Sequence, residues 1–346
     1  MNKYAKSSDN ATAICLTAGV IFIAALAQGT TGTLHSAYKG QGEEPTTVAL
    51  GIFVLDIMQI DCAEQMFTAD IYVEAHWYDP QLAHEGKPLF KPMDSIWHPQ
   101  LQVLNQLSVV RTLPEHLQIM SDGLVILRQR VFGNFSQPLE LRSFPFDQQV
   151  LSITFIASGL LTRNVQILPL TVDGVSRTAI SRAFSLPDWD ITNFHYTVGS
   201  RKFFDGSASM PIMIVNINVD RRQGYYILKV LIPLLLIVFI SWITFWLAPD
   251  NVGVNISVPM TSMLTLVAYR FTIGGLLPRV SYFTRMDAFI LSSMFLVFAV
   301  LVYVVAVASM VKHGHEAKAL KMRWWGRMIF PLCIVVVVVW TLYFTF

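Results

Sequence analysis

Cysteine and charge are both scarce in this chain. Only three cysteines occur, Cys15, Cys62 and Cys333, and no Cys/His spacing suits zinc. They fall in three different kinds of segment, so no intrachain disulfide is expected. Charged residues make up 14% of the sequence, well below the share of an ordinary soluble domain. A formal net charge of +2 offers no basic field, so no nucleic-acid partner is expected. Gly-rich phosphate loops, nucleophile motifs and clustered metal ligands are missing too, which argues against an enzyme, a cofactor or a bound metal. His313 and His315, the closest pair of histidines, read as part of a solvated loop.

What the chain has in excess is apolar sequence, 53% of all residues, and from Tyr225 onward it is gathered into long apolar runs. The start has its own logic. Lys3 and Lys6 precede an apolar run from Ala11 to Ala27 that ends in Ala25-Leu26-Ala27. A charged start, a short greasy core and small residues at the end describe an export signal over residues 1–27. A fifth membrane helix fits that run less well, because the run is short. Residues 28–221 then form an exported domain, with an ordered core expected from about residue 44. From Phe67 to Trp77 apolar and polar residues alternate: Phe67, Ala69, Ile71, Val73, Ala75 and Trp77 point one way. Period two over that length is a half-buried strand. Val215, Ile217 and Val219 repeat the pattern, and Val48–Leu55, Gly123–Val131 and Val150–Ile156 are shorter cases. Many short strands separated by Pro- and Gly-bearing turns predict an all-β, immunoglobulin-like sandwich.

Residues 222–346 read as a bundle of four membrane helices, at about Tyr225–Leu247, Val254–Leu277, Ala288–Val311 and Met328–Phe346. Each approaches the ~20 residues that cross a bilayer. The stretch 312–326 carries Lys312, Lys318, Lys321 and Arg323 against a single Glu316. It is expected to be a short cytoplasmic loop under the positive-inside rule. In the second helix, Ser257, Thr261, Leu264, Ala268 and Phe271 recur at steps of four and three, forming one stripe. Hydroxyls in lipid should face protein or water. The stripe is therefore either a pore wall built from several copies or a buried face whose hydroxyls bond their own backbone. Arg270 either snorkels to the outer surface or pairs with Asp287. Pro259 strains the helix unless the helix starts near it.

Five features together resemble the prokaryotic pentameric ligand-gated ion channels of the Cys-loop receptor superfamily. They are Trp97-His98-Pro99 with Asn105, Phe144-Pro145-Phe146-Asp147, Arg221 before the first helix, Pro233 within it, and Leu277-Pro278 after the second. Gln137 and Leu151 stand where animal receptors carry two cysteines. The resemblance implies a homopentamer in the inner membrane, each copy sharing a central pore with four identical subunits. It also implies an agonist, an amine or carboxylate or protons, and a flow of monovalent ions. Ser257, Thr261, Leu264, Ala268 and Phe271 would line the pore. Asp250 would stand in for the usual glutamate ring, with a lean toward cations. Asp61, Asp147 and Arg221, with Pro278 in the linker, would couple sandwich to membrane; the plainer reading is a surface ion pair of little consequence. By similarity Gln102, Arg130, Ser158, Phe203 and Phe204 would meet the agonist, although the two phenylalanines could equally pack beneath their loop. Ser158 is not aromatic, which puts a full aromatic cage in doubt. The competing class is a non-conducting receptor whose helices only anchor or signal.

Overall fold

The computed structural model describes residues 45–158, 164–205, 209–248, 251–275 and 280–343. The expected export signal lies outside them, as do Asp250 and Pro278. Among the described residues fourteen strands come first: β1 (Thr46–Asp61), β2 (Met66–Tyr78), β3 (Leu89–Pro92), β4 (Leu101–Val103), β5 (Gln106–Arg111), β6 (His116–Ile119) and β7 (Leu124–Ser136). They are followed by β8 (Gln148–Ala157), β9 (Val165–Pro169), β10 (Thr171–Val172), β11 (Val175–Ser176), β12 (Ala179–Ile180), β13 (Trp189–Arg201) and β14 (Met210–Arg221). One sheet runs β12-β1-β2-β7-β6-β3, with β5 on β7 and β9 on β1; the other large sheet runs β13-β14-β8-β4, and β10 and β11 pair as a separate two-stranded ribbon.

The alternation on β2 decides which face meets the core. Phe67, Ala69, Ile71, Val73, Ala75 and Trp77 are all buried, because a period of two sends them to the same side. The opposite face of β2 is buried as well at Asp70, Glu74 and His76. These groups tolerate burial because arginines on β7 partner the two carboxylates: Arg130 pairs with Asp70 at 2.6 Å and Arg128 with Glu74 at 3.1 Å. Asn105 pins the two sheets together. Its amide donates to the carbonyls of Ser136 on β7 (3.0 Å) and Ser152 on β8 (2.7 Å), and its oxygen accepts from Thr154 N.

Glutamines close the β7–β8 loop. Gln137 accepts from Ser152 N at 3.0 Å, beside Leu151. Gln149 binds Glu140 through both its N–H and its oxygen, and Gln65 accepts from Leu139 N at 2.6 Å.

Among the described residues four long apolar helices follow: α1 (Gly224–Trp246), α2 (Val252–Ile273), α3 (Arg285–Lys312) and α4 (Glu316–Tyr343). Within α1, Ile227–Leu231 takes a π-helical turn before Pro233. Proline has no N–H to give the carbonyl of Lys229. Tyr269 of α2 supplies the missing donor, its hydroxyl reaching the carbonyls of Lys229 (3.1 Å) and Val230 (3.0 Å). Pro259 lies inside α2, seven residues after its start, so the helix carries the proline within it rather than in its first turn. The expected loop 312–326 is corrected. Only His313–His315 are non-helical, and α4 begins at Glu316. Gly314, at φ 78°, ends α3, and the polar residues after it are good helix formers that hydropathy alone does not mark.

Candidate functional site

The sandwich meets the helices at the end of β14. Arg221 forms a fork with Asp147, Nε to Oδ1 at 2.7 Å and Nη2 to Oδ2 at 3.0 Å. Their side chains are only 4% and 1% exposed. Gln149 donates to the same carboxylate at 2.8 Å. Aromatic rings enclose the guanidinium, with centroids at 4.1 Å (Trp189), 4.9 Å (Phe144) and 5.8 Å (Tyr226), at cation–π distance. Burial works against the charge of Arg221, but the hydrogen bonds and charge of Asp147 outweigh it and hold its pKa above the ordinary arginine value.

Asp61 does not flank Arg221 as expected. Its carboxylate accepts from Ala63 N (2.9 Å) and Glu64 N (3.0 Å), the local turn contacts that short acidic side chains favour. The next residue takes its place: Arg221 Nη2 donates to the sulfur of Cys62 at 3.2 Å. Burial pushes the Cys62 thiol up, against the pull of Arg221, so it stays protonated. The cluster is therefore one cation, one carboxylate and a neutral thiol.

The loop between β7 and β8 also grips the linker before α3. The Tyr282 hydroxyl accepts from Leu141 N at 2.9 Å and donates to the Leu139 carbonyl at 3.3 Å. Arg142 lies over the same ring at 5.5 Å, and Arg285 N donates to the Arg142 carbonyl at 2.9 Å. Sequence reasoning missed Cys62, Trp189 and Tyr282. Only Tyr282 carried a signal, as an amphipathic aromatic in a short linker.

On α2, Ser257, Thr261, Leu264, Ala268 and Phe271 are all exposed in the single chain, Leu264 at 70% and Phe271 at 81%. The reverse face, Asn255, Pro259, Ser262, Leu266 and Ile273, is buried against the other helices. Ser257 does bond its own backbone, donating to the Val254 carbonyl at 3.0 Å. Asn255 turns away from the stripe and donates to the Ala248 carbonyl at 2.7 Å. The Arg270–Asp287 pair is not formed. Asp287 is the third residue of α3 and accepts from Thr284 N and Oγ1, while its own N–H donates to Thr284 Oγ1. This reciprocal capping holds the carboxylate at the helix start.

The five candidate ligand residues divide into two groups. Gln102 on β4 lies beside Ile156 of β8, and Ser158 follows β8, its hydroxyl donating to the Gln100 carbonyl at 2.9 Å. Phe203 and Phe204 lie beyond β13 in the same sheet, and Phe204 is 77% exposed. Arg130 is on β7 of the other sheet, held by Asp70, and the chain does not bring it to the other four. Beside it, burial works to raise Glu74's pKa. Hydrogen bonds and charges from His76 and Arg128 outweigh that and hold it below the usual carboxylate range. Burial pushes the neighbouring Tyr72 up to about 12.

Comparison with known proteins adds the remaining findings. Residues 35–223 match the family model for the neurotransmitter-gated ion-channel ligand binding domain, and residues 230–344 that for the neurotransmitter-gated ion-channel transmembrane region. A proton-gated ion channel of Gloeobacter violaceus is 25% identical over 297 residues, 84% of this chain and 80% of the relative. The glycine receptor subunit beta of Rattus norvegicus is 27% identical over 294 residues, 81% of this chain but 58% of its own length. The gamma-aminobutyric acid receptor subunit gamma-4 of Gallus gallus is 27% identical over 273 residues, again 58% of its length.

Proposed function

The chain belongs to the neurotransmitter-gated ion-channel family, and on that premise we propose that five identical copies enclose a membrane pore lined by α2. The observation that carries this reading is the two-faced α2. One face is buried in the chain's own bundle, and the other leaves a hydroxyl-to-apolar stripe uncovered. Five such stripes around an axis would enclose water beside Ser257 and Thr261. Leu264, Ala268 and Phe271 would form a ring that closes by dewetting. Asp250, the carboxylate nearest the start of α2 in sequence, would bias the mouth toward monovalent cations.

The agonist site lies between neighbouring sandwiches, with Gln102, Ser158, Phe203 and Phe204 from one copy and Arg130 from the next. A small amine suits the aromatic rings and a small carboxylate the arginine. Protons are the third option, the stimulus named for the Gloeobacter relative. Movement of the sandwich reaches the helices through the Asp147–Arg221 fork and the Tyr282 contact.

Currents recorded in planar bilayers during pH steps and a panel of small amines and carboxylates test this. Currents whose block or rectification changes in Leu264→Ala are expected. Silence from an assembled pentamer, with a cysteine at Thr261 closed to aqueous thiol reagents, would overturn the reading in favour of a non-conducting receptor.

A further inference from the structure

At the end of the bundle away from the sandwich, a small space lies among all four helices. Asn255 of α2, Thr244 and Phe245 of α1, Tyr303 and Val307 of α3 and Arg323 of α4 line it. It offers about 20 Å³ to the centre of a water-sized sphere, and one water needs roughly 10–15 Å³ by that measure. The space suits one water and little more.

Three of its walls are polar and buried. Asn255, Thr244 and Arg323 are 6%, 3% and 6% exposed. The Asn255 amide is anchored by Nδ2, which donates to the Ala248 carbonyl at 2.7 Å. That bond fixes which end of the amide is left over. Oδ1 is buried and meets no hydrogen-bond donor among the described residues, and a buried acceptor in that state is costly until something donates to it. Thr244 Oγ1 spends its hydrogen on the Ser241 carbonyl at 2.8 Å, so toward the space it can only accept. Arg323 Nη2 donates to the Phe245 carbonyl at 3.3 Å, and a guanidinium carries several N–H donors and no acceptor. The Tyr303 hydroxyl is engaged by the Met322 carbonyl. Two acceptors and one cationic donor around so small a volume match a molecule that donates twice and accepts. Water does both. A halide ion would answer the arginine but meet the lone pairs of two oxygens.

We propose that one ordered water occupies this space, accepting from Arg323 and donating to Asn255 Oδ1 and Thr244 Oγ1, and that it ties α4 to the first turn of α2. Asn255 lies two residues before Ser257, so the tie is made where the uncovered stripe begins. The site needs no conduction and stands or falls apart from the channel reading.

A crystal structure of the full chain that resolves ordered waters, grown with bromide in place of chloride, tests it. A water peak within roughly 2.6–3.2 Å of Asn255 Oδ1, without anomalous signal, is expected. A bromide peak, a protein donor in direct contact with Oδ1, or no density in the space would overturn the proposal. Thermal unfolding in detergent gives a second reading. Val304 also lines the space, and Val304→Ile adds one methylene there. It should expel the water, strand Oδ1 and lower the unfolding midpoint by about 2 °C or more. In Asn255→Leu, which has no acceptor to strand, the same change should leave the midpoint level or raise it. A rise in the unaltered background, or an equal fall in both, would overturn the proposal. Asn255→Leu and Arg323→Met together should lower the midpoint by less than the sum of the two alone; simple additivity would overturn the tie between the helices.

Discussion

Asparagine at position 147 would keep the shape of the aspartate and remove its charge. Arg221 would then remain buried, with a neutral amide, the Cys62 sulfur and three aromatic rings around it. Removing one member of a buried ion pair costs about 3–5 kcal/mol, because the surviving charge stays out of water. The cation–π contacts are present before and after the change, so they offset little of that. We take about 3 kcal/mol as the expected cost, more than a hundredfold in an equilibrium constant. If the fork is intact in only one gating state, the cost appears as a shifted concentration–response curve. If it is intact in both, the cost appears in thermal unfolding of the detergent-solubilised protein.

Both are therefore measured, and Asp147→Asn is combined with Arg221→Gln. The double variant should be milder than Asp147→Asn alone, since it leaves no uncompensated charge. Cys62→Ala removes only a weak acceptor and should cost about 1 kcal/mol. Asp147→Asn within 0.5 kcal/mol (about the error of such measurements) in both assays, or simple additivity in the cycle, would refute the reasoning.

Three further outcomes follow from contacts elsewhere. Tyr269→Phe deprives the carbonyls freed beside Pro233 of their donor and should lower the unfolding midpoint, at a cost of about 1–3 kcal/mol; an unchanged midpoint would show that the contact is idle. Gly326→Ala sets a Cβ 2.5 Å from the Phe245 ring and should cost about 1–3 kcal/mol by overpacking, while alanine at exposed Gly275 should be nearly neutral. Glu74 has its folded-state pKa depressed, so the stability it contributes is present in full above its unfolded pKa of about 4.3 and is lost as pH falls through its lower folded value. Acid unfolding followed by tryptophan fluorescence should accordingly lose part of its steepness below pH ~4 in Glu74→Gln; identical acid curves would count against that account.

Periodicity carried much of the architecture. Alternation from Phe67 to Trp77 marks a strand because side chains on a pleated chain point to opposite faces whatever surrounds them. Four long apolar runs mark membrane helices because a bilayer demands that length of any chain. The stripe from Ser257 to Phe271 was legible for the same reason, as a consequence of helical pitch alone. The short motif around Asp147 marked the place where the sandwich meets the helices, but not how; that Asn105 pins the two sheets was not legible.

Partners distant in sequence were not legible, because periodicity is silent on which side chains meet. Asp61 and Cys62 are adjacent, and a carboxylate is the better partner for an arginine. The turn after β1 nevertheless spends Asp61 on its own backbone and delivers the thiol of Cys62 to Arg221. Asp287 likewise serves the start of α3 rather than Arg270, in a reciprocal cap with Thr284 at the helix's first turn. The first turns of α4 escaped hydropathy because they are polar; Arg323 and Arg327 there turn inward and donate to the Phe245 carbonyl at the end of α1. Local pattern thus determined the strands, the helices and the two faces of α2, while tertiary structure alone decided which buried charge is paired with what, since that pairing depends on distances the linear chain does not contain.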